Sequence, residues 1–141
     1  MASDVPAVLD ASALLAYLAD EPGADAVADA IAGGVAMSTV NIAETLSTLA
    51  GRGNDPAQVT KDLTGRGLLD GAISIEPLTL ADAIEIARLQ PLTRDAGLSL
   101  ADRACLALAG RLSARALTAD QAWVGADHGV DIRLVRGQPS A

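Results

Sequence analysis

An α/β fold built on a mostly parallel sheet is predicted by three features of this 141-residue chain. Short apolar runs alternate with longer segments of helical periodicity, glycines and prolines mark the joints, and the apolar residues are almost all aliphatic. Half the residues are apolar, yet Tyr17 and Trp123 are the only aromatics and Phe is absent. Strands separated by helices require crossover connections, and these cover both faces of the sheet. The length fits one domain, residues 1–141, with one core.

Val5 to Leu9 reads as a short buried strand. Ser12 is positioned to cap a helix in which Leu14, Leu15 and Leu18 recur at helical spacing, and Glu21-Pro22-Gly23 ends it. A second helix, Ala24 to Ile31, leads through Gly33-Gly34 to a strand at Val35 to Ser38. The next helix runs from about Asn41 to Ala50, closed by Gly51 and Gly53. Asp55-Pro56 opens another, because proline at the first helical position forfeits no intrahelical bond. Ile73 to Ile75 is the third strand. A helix from Thr79 or Leu80 to Leu89 is expected to stop before Pro91, and Ser99 to Leu112 shows the clearest amphipathic pattern. Ala114 to Thr118, a short helix around Gln121 to Val124, and a last strand at Ile132 to Val135 complete the chain. No internal repeat or linker interrupts this order.

Composition limits the partners. The net charge of −8, with Lys61 and nine arginines, argues against nucleic-acid binding by bulk electrostatics. A nucleic-acid substrate would need local arginines and bound cations, whereas a basic partner would be attracted. Cys105 has no second cysteine to pair with, which points to a reduced, intracellular chain. No leader pattern and no apolar stretch of about 18 residues is present, so a soluble cytoplasmic protein with no membrane contact is expected. GRGNDP lacks the third glycine of a dinucleotide fingerprint, and no GxxxxGK[ST] occurs. A phosphoacceptor receiver domain would want an Asp after the third strand, where ISIEPL offers none.

Four acids stand where apolar runs stop: Asp10 after VPAVL, Glu44 in NIAETL, Asp102 in LSLADRA and Asp120 closing ALTAD. In open parallel sheets, ligands gather at the carboxyl ends of strands where the strand order reverses. If the first and fourth strands are neighbours, Asp10 and Asp120 face each other there. Clustered carboxylates repel unless a cation or shared protons neutralise them. Hard oxygen donors without a His or Cys cluster suit Mg²⁺ or Mn²⁺, ions that support phosphodiester hydrolysis leaving a 5′-phosphate. Ser12 and Thr118, each two residues from an acid, are candidates to hydrogen-bond the carboxylates from behind.

Each acid taken singly has a plainer reading. Asn41-x-x-Glu44 and Ser99-x-x-Asp102 both match a loose capping box, while Asp10 and Asp120 also fit turns after strands. Arg103 is a candidate for substrate phosphate or for an ion pair with a neighbouring acid. Asp127 is a candidate fifth carboxylate or a turn residue before Gly129. His128, in the turn-like DHG, is expected to be solvated, and Trp123 to pack beneath the last loop.

VLDASALLAYL, NIAETLSTLAGRG, LSLADRACLALAGRL and ALTADQAW, in this order and spacing, resemble the motifs of PIN-domain ribonucleases, in particular the VapC toxins of toxin–antitoxin pairs. The resemblance implies a three-layer α/β/α sandwich with a five-stranded parallel sheet. It also implies a Mg²⁺- or Mn²⁺-dependent endoribonuclease whose metal site is Asp10, Glu44, Asp102 and Asp120, acting on cellular RNA, often tRNA or rRNA. A cognate VapB antitoxin, homodimerisation, and contact with promoter DNA only through the antitoxin are further implications. The alternative is a non-catalytic PIN-like binding module whose acidic pocket is structural or filled by a basic partner.

Overall fold

The computed structural model describes residues 6–136. Val5, expected to open the first strand, lies outside them. In chain order the elements are β1 (Ala7–Leu9), α1 (Ala11–Leu18), α2 (Ala24–Ala32), β2 (Val35–Ser38), α3 (Thr39–Gly51), α4 (Pro56–Gly65), β3 (Ile73–Glu76), α5 (Leu80–Thr93), α6 (Leu100–Leu112) and β4 (Arg115–Thr118). A 3₁₀ turn (Gln121–Trp123) then leads to β5 (Ile132–Leu134). The five strands form one sheet of order β3-β2-β1-β4-β5, every pairing parallel. This is the α/β/α sandwich expected from the sequence.

Side-chain alternation divides the core between two faces. Ala7, Leu9, Val35, Met37, Ile73 and Leu117 bury against Leu14, Val27, Ile31 and Leu63, placing α1, α2 and α4 on one side. Val8, Ala36 and Ala116 point the other way and meet Cys105, Leu106, Leu108 and Ala109 of α6. Their small size lets α6 lie close to the sheet centre. Ala104 to Ala109 are consequently buried all round, so α6 is a central helix rather than the amphipathic one its pattern suggested. Trp123 is fully buried in this second layer, as expected.

Three local boundaries differ from the sequence reading. The cap of α1 is Asp10, whose carboxylate accepts from the Ala13 N–H at 2.8 Å; Ser12 lies within the first turn. α3 starts at Thr39 on a Ser38 cap, because β2 passes straight into the helix, so Asn41 and Glu44 form no capping box. α5 runs through Pro91 to Thr93. Pro91 and its would-be acceptor residue Ala87 are both exposed, so water can serve the freed carbonyl, while buried Leu89 and Thr93 hold the opposite face. The Thr93 hydroxyl also donates to the Leu89 carbonyl at 2.8 Å.

One glycine is required by close approach. Gly23 enters α2 with φ of 100°, and a Cβ there would lie 2.6 Å from the Val135 carbonyl oxygen. No helix among the described residues is long and apolar enough to cross a membrane.

Candidate functional site

The chain leaves the centre of the sheet at β1, proceeds outward to β2 and β3, and returns on the other side of β1 with β4. The strand order therefore reverses between β1 and β4, and the crevice at their carboxyl ends opens there. Asp10 immediately follows β1, and its N–H extends the pairing to the Leu117 carbonyl at 3.1 Å. Asp120 follows β4 and caps the 3₁₀ turn through the Ala122 N–H at 2.9 Å. α3 brings Glu44 and the first turn of α6 brings Asp102. The four acids, with Ala11, Ser12, Leu15 and Thr48, line one cavity of about 180 Å³. Larger hollows elsewhere on the surface lack this convergence of acids.

Asp10 is the anchor of the site. Only 4% exposed, it accepts from the Ser12 hydroxyl at 2.7 Å, the Ala13 N–H at 2.8 Å and the Thr118 hydroxyl at 2.5 Å. Ser12 and Thr118 in turn accept from the Ala119 and Asp120 N–H groups at 2.9 and 3.1 Å. Both residues thus hold the Asp10 carboxylate and stitch the end of β1 to the end of β4. Burial raises Asp10 from 3.8 to about 6 in spite of these three donors, with the Asp102 charge adding to the rise.

The neighbouring acids are displaced in the same direction. Burial, then the Asp102 charge, raises Glu44 against an opposing contribution from the Asn41 amide. Burial raises Asp102 as well; bonds from Ser99 oppose it, Asp120 reinforces it, and Arg103 counteracts it. The Ser99–Asp102 capping box is present, with the Ser99 N–H donating to Asp102 Oδ2 at 2.9 Å. Capping and site placement coincide in this residue. Cys105, fully buried beneath the cavity, is raised by burial and then by Asp10, Asp102 and Glu44.

No cation lines the cavity, and three of its four acids are held in an environment that disfavours charge. An all-oxygen donor set of this kind fits a hard divalent ion. Among the described residues, however, no three Asp, Glu, His or Cys side chains are grouped closely enough to hold one ion by themselves. A hydrated ion taking one or two carboxylates directly matches that looser spacing.

The remaining candidates lie elsewhere. Arg103 does not line the cavity: its Nη1 donates to the Ile86 carbonyl on α5 at 2.8 Å, and it borders an apolar groove with Val40, Leu78 and Leu100. Asp127 is exposed and bears on Arg88 rather than on the acids. His128 is half-buried rather than solvated. Its Nδ1 accepts from the Val130 N–H at 3.0 Å, which fixes the tautomer so that Nε2–H donates to the Trp123 carbonyl at 2.7 Å. It braces the last loop. Leu15 and Thr48 escaped the sequence reading as lining residues, although Thr48 is one helical turn beyond Glu44 and its position followed from that spacing.

A family model described as PIN domain matches residues 7–128. No curated protein matches the chain. Among solved structures, the chain is similar to FitAcB from Neisseria gonorrhoeae, with TM-score 0.70 and 20% identity over 92% of this chain and 97% of that one. A toxin-antitoxin complex from Klebsiella pneumoniae gives TM-score 0.65 at 15% identity, again over 92% and 97%. FitAB bound to an IR36 DNA fragment gives 0.63 at 18% identity, over 95% of this chain and 98% of that one.

Proposed function

The chain belongs to the PIN-domain family, and from that premise we propose that it is a Mg²⁺- or Mn²⁺-dependent endoribonuclease, the toxin of a VapBC-type pair. The observation that carries the reading is the convergence of Asp10, Glu44, Asp102 and Asp120 on one cavity at the point where the strand order reverses. PIN domains are generally nucleases, and all four acids fall within the matched residues.

Asp10, Glu44, Asp102 and Asp120 would hold the divalent ion, which supplies an activated water and charge neutralisation at the scissile phosphate. Ser12 and Thr118 fix the Asp10 carboxylate so that it cannot swing away when charged. Ala11 and Leu15 give the cavity its apolar lining, and Thr48, whose hydroxyl donates to the Glu44 carbonyl at 3.0 Å, lines it beside that acid. Asp120, exposed at the mouth, is the acid most accessible to a phosphodiester entering from solvent. Arg103, in the second turn of α6, turns its guanidinium to α5 and has no direct role in this scheme.

Similarity to a toxin-antitoxin complex and to FitAB bound to DNA supports an antitoxin partner; we propose that it is of VapB type and that promoter DNA is contacted only through it. The net charge of −8 suits an antitoxin with basic segments. tRNA or rRNA as substrate, homodimerisation, a single domain spanning 1–141 and a cytoplasmic location complete the reading. The loose spacing of the acids is the observation that favours the alternative, a binding module whose pocket receives a partner's arginine.

Incubating the purified, antitoxin-free chain with end-labelled tRNA and rRNA in Mg²⁺ or Mn²⁺ separates the two. We expect discrete fragments with 5′-phosphates that disappear with EDTA and in Asp120→Asn. Absence of cleavage by folded protein with either metal would favour the binding module.

A further inference from the structure

We propose that Asn41 is a positioning residue: it ties α3 to α6 and so sets how Glu44 and Asp102 stand across the cavity. This inference rests on the acid-lined cavity being the nuclease site. Asn41 is fully buried, on the same face of α3 as Glu44 and one turn before it. Its Nδ2 donates at 2.9 Å to the carbonyl of Ala101, the residue that precedes Asp102. No other side-chain hydrogen bond joins α3 to α6 among the described residues. One amide therefore connects the residue a turn before one acid to the residue next to the other.

The orientation of that amide is determined. Reversing it would set Oδ1 against the Ala101 oxygen, acceptor to acceptor, so Nδ2 must face α6. Oδ1 is then left buried without a partner. A buried carbonyl without a donor is unfavourable, and asparagine is a weak helix former in a helix interior. Packing alone would be better served by leucine at this site. Retaining an amide with one satisfied end makes sense if the satisfied end does something packing cannot, namely hold two helices in a fixed register. Thr45, equally buried one position after Glu44, offers a contrast: its hydroxyl donates to the Asn41 carbonyl within α3 and makes no hydrogen bond to another element.

The test compares Asn41→Leu, which keeps the branched shape and removes the donor, with Thr45→Val. For each protein the unfolding midpoint, the Mn²⁺ affinity of the metal-free protein by calorimetry, and kcat and KM for RNA cleavage are measured. We expect Asn41→Leu to weaken Mn²⁺ binding and lower kcat by about tenfold or more with KM little changed, the scale seen when residues supporting metal ligands are lost. Thr45→Val should leave Mn²⁺ affinity and kcat unchanged even where its midpoint falls as far. If Asn41→Leu does not fold, Asn41→Ser, whose hydroxyl is too short to span to Ala101, carries the same expectation. Equal behaviour of the Asn41 and Thr45 variants, with active wild type, would overturn the role of Asn41 alone. Wild-type protein that neither binds Mn²⁺ nor cleaves RNA would overturn the nuclease reading and this inference with it.

Discussion

Asp10 combines tasks that oppose each other in stability. It caps α1, joins β1 to β4 through Ser12 and Thr118, and is a carboxylate buried where charge is disfavoured. Because folding raises its pKa from 3.8 to about 6, the fold favours the neutral acid. That contribution is fully present below about 3.8 and is lost as pH rises through about 6, a change on the order of 3 kcal/mol. In EDTA, Asp10→Asn should therefore unfold at a higher temperature than wild type near neutral pH, with the advantage vanishing toward pH ~4. Equal midpoints at both pH values would contradict the buried-charge account. With Mn²⁺ present, cleavage by the wild type should decline as pH falls through about 6, where protons compete for the same carboxylate. Sequence made Asp10 legible as a strand-end acid. Its capping role was misassigned to Ser12, since both residue types cap helices and only the three-dimensional path of β1 into α1 decides between them.

α5 and α6 both begin with a capping box, Thr79–Asp82 and Ser99–Asp102, and nothing local in the sequence distinguishes the two acids. Their neighbours do. Arg111 grips Asp82 with two bonds of 2.9 and 3.0 Å. Burial raises Asp82, but the Arg111 and Thr79 bonds outweigh it and leave the acid below its ordinary value. Asp102 has no such partner and remains raised. We expect Asp82→Asn to cost about 1–3 kcal/mol in thermal or denaturant unfolding, the range between an exposed and a buried pair, and to leave cleavage intact. Asp102→Asn should keep the capping bond from the Ser99 N–H, cost little or no stability, and abolish cleavage. Exchange of these two phenotypes would show that the site has been assigned to the wrong helix. Pro91 illustrates the limit of local reading from the other side: a helix stop was expected, and the solvent-facing placement of the missing bond, a tertiary property, let α5 continue.

For the whole molecule, topology brings scattered acids to one cavity. Four motifs spread over the chain converge because β1 and β4 are neighbours at the sheet centre, which the order of strands in the sequence suggested without fixing. Alternation of strands and helices made the sandwich legible; the packing of α3 on α6 through Asn41 was not, since it depends on a contact spanning 60 residues. Of the ten cationic side chains, Arg88, Arg111, Arg115 and Arg136 are paired with acids and Arg103 bonds a carbonyl. The other five, Arg52, Lys61, Arg66, Arg94 and Arg133, stand against 18 acidic side chains, so little net attraction is left for a phosphate backbone. Binding of RNA by Asp120→Asn protein in Mg²⁺ should accordingly weaken by less than about tenfold between ~50 and ~200 mM salt, against a loss of about 10³ or more for a protein that neutralises six or more phosphates. A steep salt dependence would reveal a basic track that charge and pairing do not suggest.

If Asp10, Glu44, Asp102 and Asp120 together take a divalent ion, the metal-free chain should bind one before any RNA is present. Titrating metal-free protein with Mn²⁺, by calorimetry or by loss of the free-ion paramagnetic resonance signal, tests it without reference to any substrate. Saturable binding by the wild type that is lost in Asp10→Asn and Asp102→Asn and retained in Asp82→Asn is the predicted result. Binding that is equal in all four proteins, or absent from the wild type, would contradict it.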